Sequence, residues 1–307
     1  MRGMSRFWMM ASVALLSGAA QAELIYGISV PGTGGATNLV SFDSATPAST
    51  TNVGAITGLV AGHTLRGIDF RPANGELYAV STNGTAAQLY TINLTSSVAT
   101  PVGAGFTLTG SASTRVSLDF NPVVDRLRVV TGSGQNYRVN PNTGALVAQD
   151  TDIVTSGSGA TPLISGVAYT NNFAGATQTT LYAYDFLLDN LGTIGGINGV
   201  PSPNGGVFNI VGDSGIVTGD AGLGFDISGA TGIAYLSVDD FDGSAGFNAE
   251  FFSINLVTGA VSQIGADDPF SLLDISVLPI LAPAVPVPAT AWLAVLALAG
   301  VGLSRRR

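Results

Sequence analysis

A four-part apolar pattern recurs along this chain about every fifty residues, and its two ends carry complementary pieces of one copy. The clearest copy is Leu65 to Gly103, LRGIDFRPANGELYAVSTNGTAAQLYTINLTSSVATPVG. It reads as four short strands, LRGIDF, ELYAVS, QLYTIN and ATPVG, rich in β-branched, aromatic and alternating apolar residues. The breaks hold Pro, Asn, Gly, Ser and Thr, and Asn74-Gly75 suits a tight hairpin because both residue types tolerate positive φ. The opening strand returns as LRGIDFRP (Asp69), VSLDFNP (Asp119), GLGFDIS (Asp226) and LLDISV (Asp274), with a weaker copy, ISGVAYTN, that has Ala168 in place of the acid. Successive openings are 50, 49, 58 and 48 residues apart.

The second strand returns as Tyr26, Tyr78, Arg128, Tyr182 and Tyr235 in LIYGI, ELYAV, RLRVV, TLYAY and GIAYLSV. The third ends on Asp43, Asn93, Asn140 or Asn255. Gly103, Asp150 and Gly265 each follow the last three by ten positions, and Gly54 follows Asp43 by eleven. A period near fifty with four strands predicts an all-β propeller. The first copy starts at its second strand and the last stops after its first, so the two would complete one shared blade, close the ring and leave no open edge. The count is then about five blades. A β-solenoid or open stack of hairpins competes, but its repeats are shorter and need no complementary ends. The fourth unit loses the pattern between Tyr184 and Gly222, where irregular strands, an extra hairpin or a long loop would fit.

Composition agrees. The chain has 307 residues, 46% hydrophobic, enough for a sizeable core, and its 41 glycines lack a collagen period and fit many tight turns. There is no Cys, no Lys and one His, His63, which excludes disulfides, thiol and Schiff-base chemistry and Cys/His zinc sites. Of the 11 arginines, Arg2, Arg6 and Arg305 to Arg307 lie at the extreme ends, leaving six in the body against 20 acids. A body near −14 argues against nucleic acid or anionic membrane as a partner.

The ends predict export. Residues 1–22 have a basic start, an apolar centre from Phe7 to Leu16 and the small-residue exit Ala20-Gln21-Ala22 before Glu23, the pattern of a signal peptide cut by signal peptidase. Residues 23–279 form the repeat body, 280–288 a Pro-rich linker, and 289–307 an apolar helix with an Arg-rich end. Arginines at the tip would stay cytoplasmic and leave the body outside.

This tail resembles the PEP-CTERM sorting signal of exopolysaccharide-producing Gram-negative bacteria: a Pro box, Val285-Pro286-Val287-Pro288, an apolar helix, and the cluster Arg305, Arg306, Arg307. The usual box has Glu where this chain has Val287. The resemblance implies an exosortase-like membrane peptidase as partner, transient anchoring in the inner membrane, and delivery to the cell surface or extracellular matrix. A plain single-span anchor is the alternative. The body from about Leu24 to Val277 resembles the uncharacterised exported family numbered 4394 among domains of unknown function, through LRGIDFRPANGELYAV and RVSLDFNPVVDRLRVV. That resemblance implies architecture and export and assigns no catalytic residue.

Several constellations invite a functional reading. Gly212-Asp213-Ser214-Gly215 with His63 upstream has the residue order of a serine-protease triad, but Gly, Asp and Ser are also ordinary turn residues and we read a turn. Asp239, Asp240 and Asp242 before Gly243 offer clustered oxygens for calcium, without the alternating acids of an EF-hand; the competing reading is a solvated hairpin tip. Asp150-Thr151-Asp152 and Asp267-Asp268 are weaker sets. Asp69, Asp119, Asp226 and Asp274 could converge near a channel mouth as paired carboxylates. Recurring once per blade, they read more simply as strand-end acids that accept from the following turn, and Asn93, Asn140 and Asn255 read likewise as turn residues. Arg71, Arg126, Arg128 and Arg138 could meet these acids or an anionic ligand. The tyrosines at the shared position read as packing, and both tryptophans, Trp8 and Trp292, lie in the removable ends.

The expectation is a surface or matrix protein acting without catalysis and without a cofactor, with exopolysaccharide as its ligand. The alternatives are a propeller hydrolase or lyase on extracellular glycans, and a calcium-dependent adhesion module.

Overall fold

The computed structural model describes residues 22–29, 37–110, 115–218, 222–240, 248–266 and 271–279. The expected signal peptide up to residue 21, the sorting box, the C-terminal helix with its arginines, Asp242 and Asp267-Asp268 lie outside them. Among the described residues, no helix is long and apolar enough to cross a membrane.

The strands follow the repeat. The first three are β1 (Leu24–Ser29), β2 (Asn38–Asp43) and β3 (Thr51–Ala55). The second unit gives β4 (Thr64–Phe70), β5 (Leu77–Asn83), β6 (Ala86–Ile92) and β7 (Ala99–Thr107). The third gives β8 (Val116–Asn121), β9 (Arg126–Thr131), β10 (Asn136–Val139) and β11 (Leu146–Gln149). The fourth gives β12 (Val154–Thr155), β13 (Ile164–Tyr169), β14 (Leu181–Asp185), β15 (Asn190–Ile194) and β16 (Val207–Asp213). The last strands are β17 (Leu223–Ile227), β18 (Ala234–Asp240), β19 (Asn248–Ile254), β20 (Val261–Gln263) and β21 (Leu272–Val277).

They assemble into five antiparallel blades. Blade 1 has the order β21-β1-β2-β3, so the last strand of the chain completes the first sheet. Blades 2, 3 and 5 are β4 to β7, β8 to β11 and β17 to β20. Blade 4 holds β13 to β16 with the two-residue β12 added in parallel at its outer edge, Val154 opposite Val207. The stretch where the pattern dissolves thus forms regular strands, β15 and β16, joined through short 3-10 turns at Ile197–Gly199 and Pro203–Gly205.

The innermost strands close a ring: β4 lies beside β8, β8 beside β13, β13 beside β17, β17 beside β21, and β21 beside β4. The core lies between blades, because a strand side chain alternates faces and each blade is covered on both. There is one apolar cluster per interface. Tyr78 and Leu89 meet Phe120 and Val129 between blades 2 and 3; Ile25 and Phe42 meet Tyr235 and Phe251 between blades 1 and 5. The shared tyrosines do pack, as expected: Tyr78 sits edge-on to Phe120 at 5.1 Å, and Tyr235 stacks on Phe251 at 5.3 Å.

The turns hold one departure. Gly75 has φ +71°, but the loop runs from Arg71, whose N–H donates to the carbonyl of Glu76, so it exceeds a two-residue hairpin. The strand-end asparagines behave as read: Asn93 Oδ1 accepts from the N–H groups of Thr95 and Ser96, and Asn255 Oδ1 from those of Val257 and Thr258.

Candidate functional site

Two polar regions are built into this apolar ring. The first is on its axis. Asp69, Asp119 and Asp226 come from blades 2, 3 and 5, and one carboxylate oxygen of each lies within 4.8 Å of the others. Blades that are not neighbours can meet in this way only at the centre. The acids do not serve their own turns, which corrects that reading. Each bonds the next blade: Asp69 Oδ2 accepts from the N–H of Phe120 at 2.8 Å, Asp119 Oδ1 from Tyr169 at 3.2 Å, and Asp226 Oδ2 from Val277 at 2.6 Å. The Ser276 hydroxyl completes the ring by accepting from Phe70 N–H and donating to Asp69 at 2.8 Å. Ala168 has no oxygen to offer, and the N–H of Ile227 that it would have served goes to Asp226 Oδ1 at 2.6 Å.

Strand register also corrects the alignment of the last unit. Tyr26 pairs with Ser276, as Tyr78 pairs with Asp69 and Tyr235 with Asp226. Ser276 is therefore the equivalent of the repeated acid, and Asp274 sits two residues earlier. Its carboxylate takes the N–H of Ile68 at 2.9 Å, in space left by Gly67, where a Cβ would stand 2.6 Å from Asp274 Oδ2.

Desolvation dominates the electrostatics here. Burial, and then the charge of Asp226, raise Asp69 well above the usual carboxylate range; burial and then Asp69 do the same for Asp119. Burial raises Asp274 likewise and pushes Asp226 up to about 6 against its backbone hydrogen bonds. Chemically, such a cluster can share protons, and its three converging oxygens are the set among the described residues that could ligate a cation.

The triad-like set is not brought together. His63 Nδ1 lies 2.9 Å from the hydroxyl of Ser81 in blade 2, while Ser214 bonds Tyr184 of blade 4 at 2.8 Å, and Asp213 accepts from Gly215 N–H within its own turn. The triad-like residues are turn and core residues. Asp239 is no hairpin tip: it is buried inside β18 and accepts the Ser271 hydroxyl. Asp240 follows it in the same strand. Arg71 is committed to Asp125 through Nε at 2.8 Å and through Nη2, and to Asn142 at 2.8 Å.

The second polar region is a cavity of about 490 Å³ where blades 3 and 4 meet. Arg126, Arg128 and Arg138 line it. Arg126 and Arg128 share one face of β9 because strand side chains alternate, and Arg138 on β10 is the direct cross-strand partner of Arg128. Like charges opposed in this way repel. Asp150 relieves them, accepting from Arg138 Nε and Nη2, each at 2.8 Å, and from Arg128 Nη1 at 3.2 Å. Arg128 is buried and held further by Tyr169 at 2.7 Å, Asn204 at 2.7 Å and Asn136. The exposed Val123, Val124 and Val147 and the amides of Asn121, Gln178 and Asn198 share the wall. Among the described residues, no carboxylate lines it.

Sequence reasoning named the three arginines but not their convergence, and it missed Tyr169 and Asn204 altogether. A signal was present as a break in the repeat. The cross-strand pair is Tyr26 with Ser41 in blade 1, Tyr78 with Thr91 in blade 2, Tyr182 with Thr193 in blade 4 and Tyr235 with Ser253 in blade 5. Blade 3 alone has Arg128 with Arg138. Asp150 likewise stands where the corresponding spacing gives Gly103 and Gly265.

Comparison with solved structures finds similarity of fold. An engineered GH43 glycoside hydrolase displaying endo-xylanase and exo-arabinofuranosidase activity is 9% identical, with a TM-score of 0.53, over 82% of this chain and 54% of that one. A protein of unknown function from Bacteroides thetaiotaomicron is 15% identical, with a TM-score of 0.47, over 85% and 68%. The RS223 β-xylosidase is 11% identical, with a TM-score of 0.47, over 75% and 84%. A comparison with curated proteins finds no match. Residues 38–274, most of the repeat body, match one family along the same blades, and the chain belongs to it: the domain of unknown function DUF4394.

Proposed function

We propose that this protein is exported and binds polysaccharide at or beyond the cell surface without cleaving it. The wall of the cavity between blades 3 and 4 carries this reading: guanidinium and amide groups suited to sugar hydroxyls, exposed valines suited to the apolar face of a ring, and no lining carboxylate among the described residues. Glycoside hydrolysis calls for two carboxyl groups flanking an accessible bond. The axial carboxylates are buried and already spent on backbone N–H groups of neighbouring blades.

Export is supported at the N-terminus. Glu23, the first residue after the expected cleavage, belongs to the fold: its N–H donates to Ser44 Oγ at 2.9 Å, and its carboxylate accepts the hydroxyls of Tyr235 at 2.8 Å and Thr231 at 2.9 Å. Ala22 before it is exposed. The sorting tail supplies the route to the surface, with an exosortase-like peptidase as processing partner. Fold similarity to a glycoside hydrolase favours a second reading, a propeller enzyme on extracellular glycans.

Incubation with the host's exopolysaccharide separates the two. Saturable retention with no new reducing ends supports binding, and release of oligosaccharides transfers the protein to the hydrolases. Intact mass of the protein from its native cells tests the route. A chain from Glu23 to near Pro286 supports sorting; one retaining Arg307 makes it a plain membrane anchor.

A further inference from the structure

We infer that the cavity between blades 3 and 4 selects a carboxylated sugar, with Arg126 and Arg138 as the groups that meet the carboxylate. This rests on the glycan-binding reading and narrows it to acidic glycans.

The repeat itself is the first argument. Four blades are built with a tyrosine opposite a serine or threonine at the position where blade 3 has Arg128 opposite Arg138. The fold therefore does not require the arginine pair. Two facing guanidiniums repel and have to be held by Asp150, Tyr169, Asn136 and Asn204, and such a departure from an otherwise regular repeat marks a functional position.

Charge distribution is the second. The body has six arginines and 20 acids, yet three of the six arginines line this one cavity. Against them stands one carboxylate, Asp150, which bonds Arg128 and Arg138 from behind the wall. Arg126 pairs with no carboxylate among the described residues. The cavity is a cationic spot on an anionic protein.

Unspent donors are the third. Arg128 is buried, donates to Tyr169, Asn136, Asp150 and Asn204, and acts as the floor that positions its neighbours. Arg138 uses Nε and Nη2 on Asp150 and leaves Nη1 without a partner among the described residues. Arg126 anchors Nη1 on the carbonyls of Asp125 at 2.8 Å and Val124 at 3.4 Å, leaving Nε and Nη2 unspent. Planar guanidinium donors match the two oxygens of a carboxylate, and the valines and amides around them match the rest of a sugar ring.

The test titrates the purified protein with trigalacturonate, its methyl ester and neutral galactotriose. The acid should bind at least about tenfold tighter than the ester, and added salt should weaken the acid alone. Arg126→Gln and Arg138→Gln should each remove most of that preference while binding of the neutral sugar persists. The ester comparison uses the unaltered protein, so it holds even if a variant folds poorly. Equal binding of acid, ester and neutral sugar overturns the selectivity and leaves glycan binding standing. No binding of any of the three, together with no retention on the host polysaccharide, overturns both.

Discussion

The axis and the cavity are both polar groups set into an apolar ring, and they differ in symmetry. On the axis, equivalent positions of successive inner strands carry Asp69, Asp119, Ala168, Asp226 and Ser276, and where an oxygen exists it takes the N–H of the next blade. In the cavity one blade differs from the other four, and its guanidiniums keep donors in reserve. The polar side chains repeated around the ring join blade to blade, whereas Arg138, where the repeat is broken, keeps Nη1 free of partners among the described residues. The replacements at Ala168 and Ser276 also belong to the axis, because five carboxylates converging in a dry centre would repel without relief.

The sharpest way to break this contrast is Arg128→Ala. Its side chain and that of Asp150 are 3% and 6% exposed, so the variant strands a buried carboxylate with Arg138 as sole partner and empties the bonds to Asn136, Asn204 and Tyr169. Chemical denaturation should show a loss of about 3 to 5 kcal/mol; a loss below about 1 kcal/mol would mean that Arg128 does not support the wall.

The axis should reveal itself through pH. Burial holds Asp226 at about 6 and Asp69, Asp119 and Asp274 well above the range of an unfolded chain, so the native state binds more protons than the unfolded one. These groups therefore make stability fall as pH rises from about 4 through 6, with Asp226 alone contributing on the order of 3 kcal/mol across its window. Melting temperatures across that interval should slope downward with pH, and Asp226→Asn should flatten the slope. An unchanged slope would remove Asp226 from the account.

Comparing Asp69→Ala with Asp69→Asn separates acceptor from charge. Alanine orphans the buried N–H of Phe120, whereas the asparagine carbonyl still accepts it and carries no charge. The asparagine variant should be more stable by about 1 to 3 kcal/mol at neutral pH, as read by thermal unfolding. Equality would show that the bond across blades contributes nothing.

Smallest in stability but most pointed is the variant that restores the repeat: Arg128→Tyr, Arg138→Thr and Asp150→Gly together. Replacing a buried charge cluster with the packing used elsewhere in the ring should change stability by no more than about 1 kcal/mol, or raise it, while abolishing selective binding of trigalacturonate. Collapse of the fold would show that the arginines are structural in blade 3.

Much of this was legible beforehand because a propeller writes its architecture locally. The period, the strand-end asparagines and the half-units at Leu24 and Val277 appear in the chain as spacing; the blades and turns form from residues near in the chain, and the half-units meet as one shared first blade. The axial acids were visible as a set, but their partners were not. The N–H groups of Phe120, Tyr169 and Val277 lie about fifty residues from the carboxylates that take them, and no local pattern records that. Asp274 was aligned by its letter, whereas register assigned the equivalent place to Ser276.

The blade and the number of repeats thus follow from alternation and turn chemistry within tens of residues, and the complementary half-units at the two ends announce the closure that pairs Tyr26 with Ser276. The meeting of three aspartates from blades 2, 3 and 5 on one axis, and of Arg126, Arg128, Arg138 and Asn204 in one cavity, came from the folded ring. Both depend on how twisted sheets pack around a ring, a geometry in which residues far apart in the chain become neighbours through closure alone.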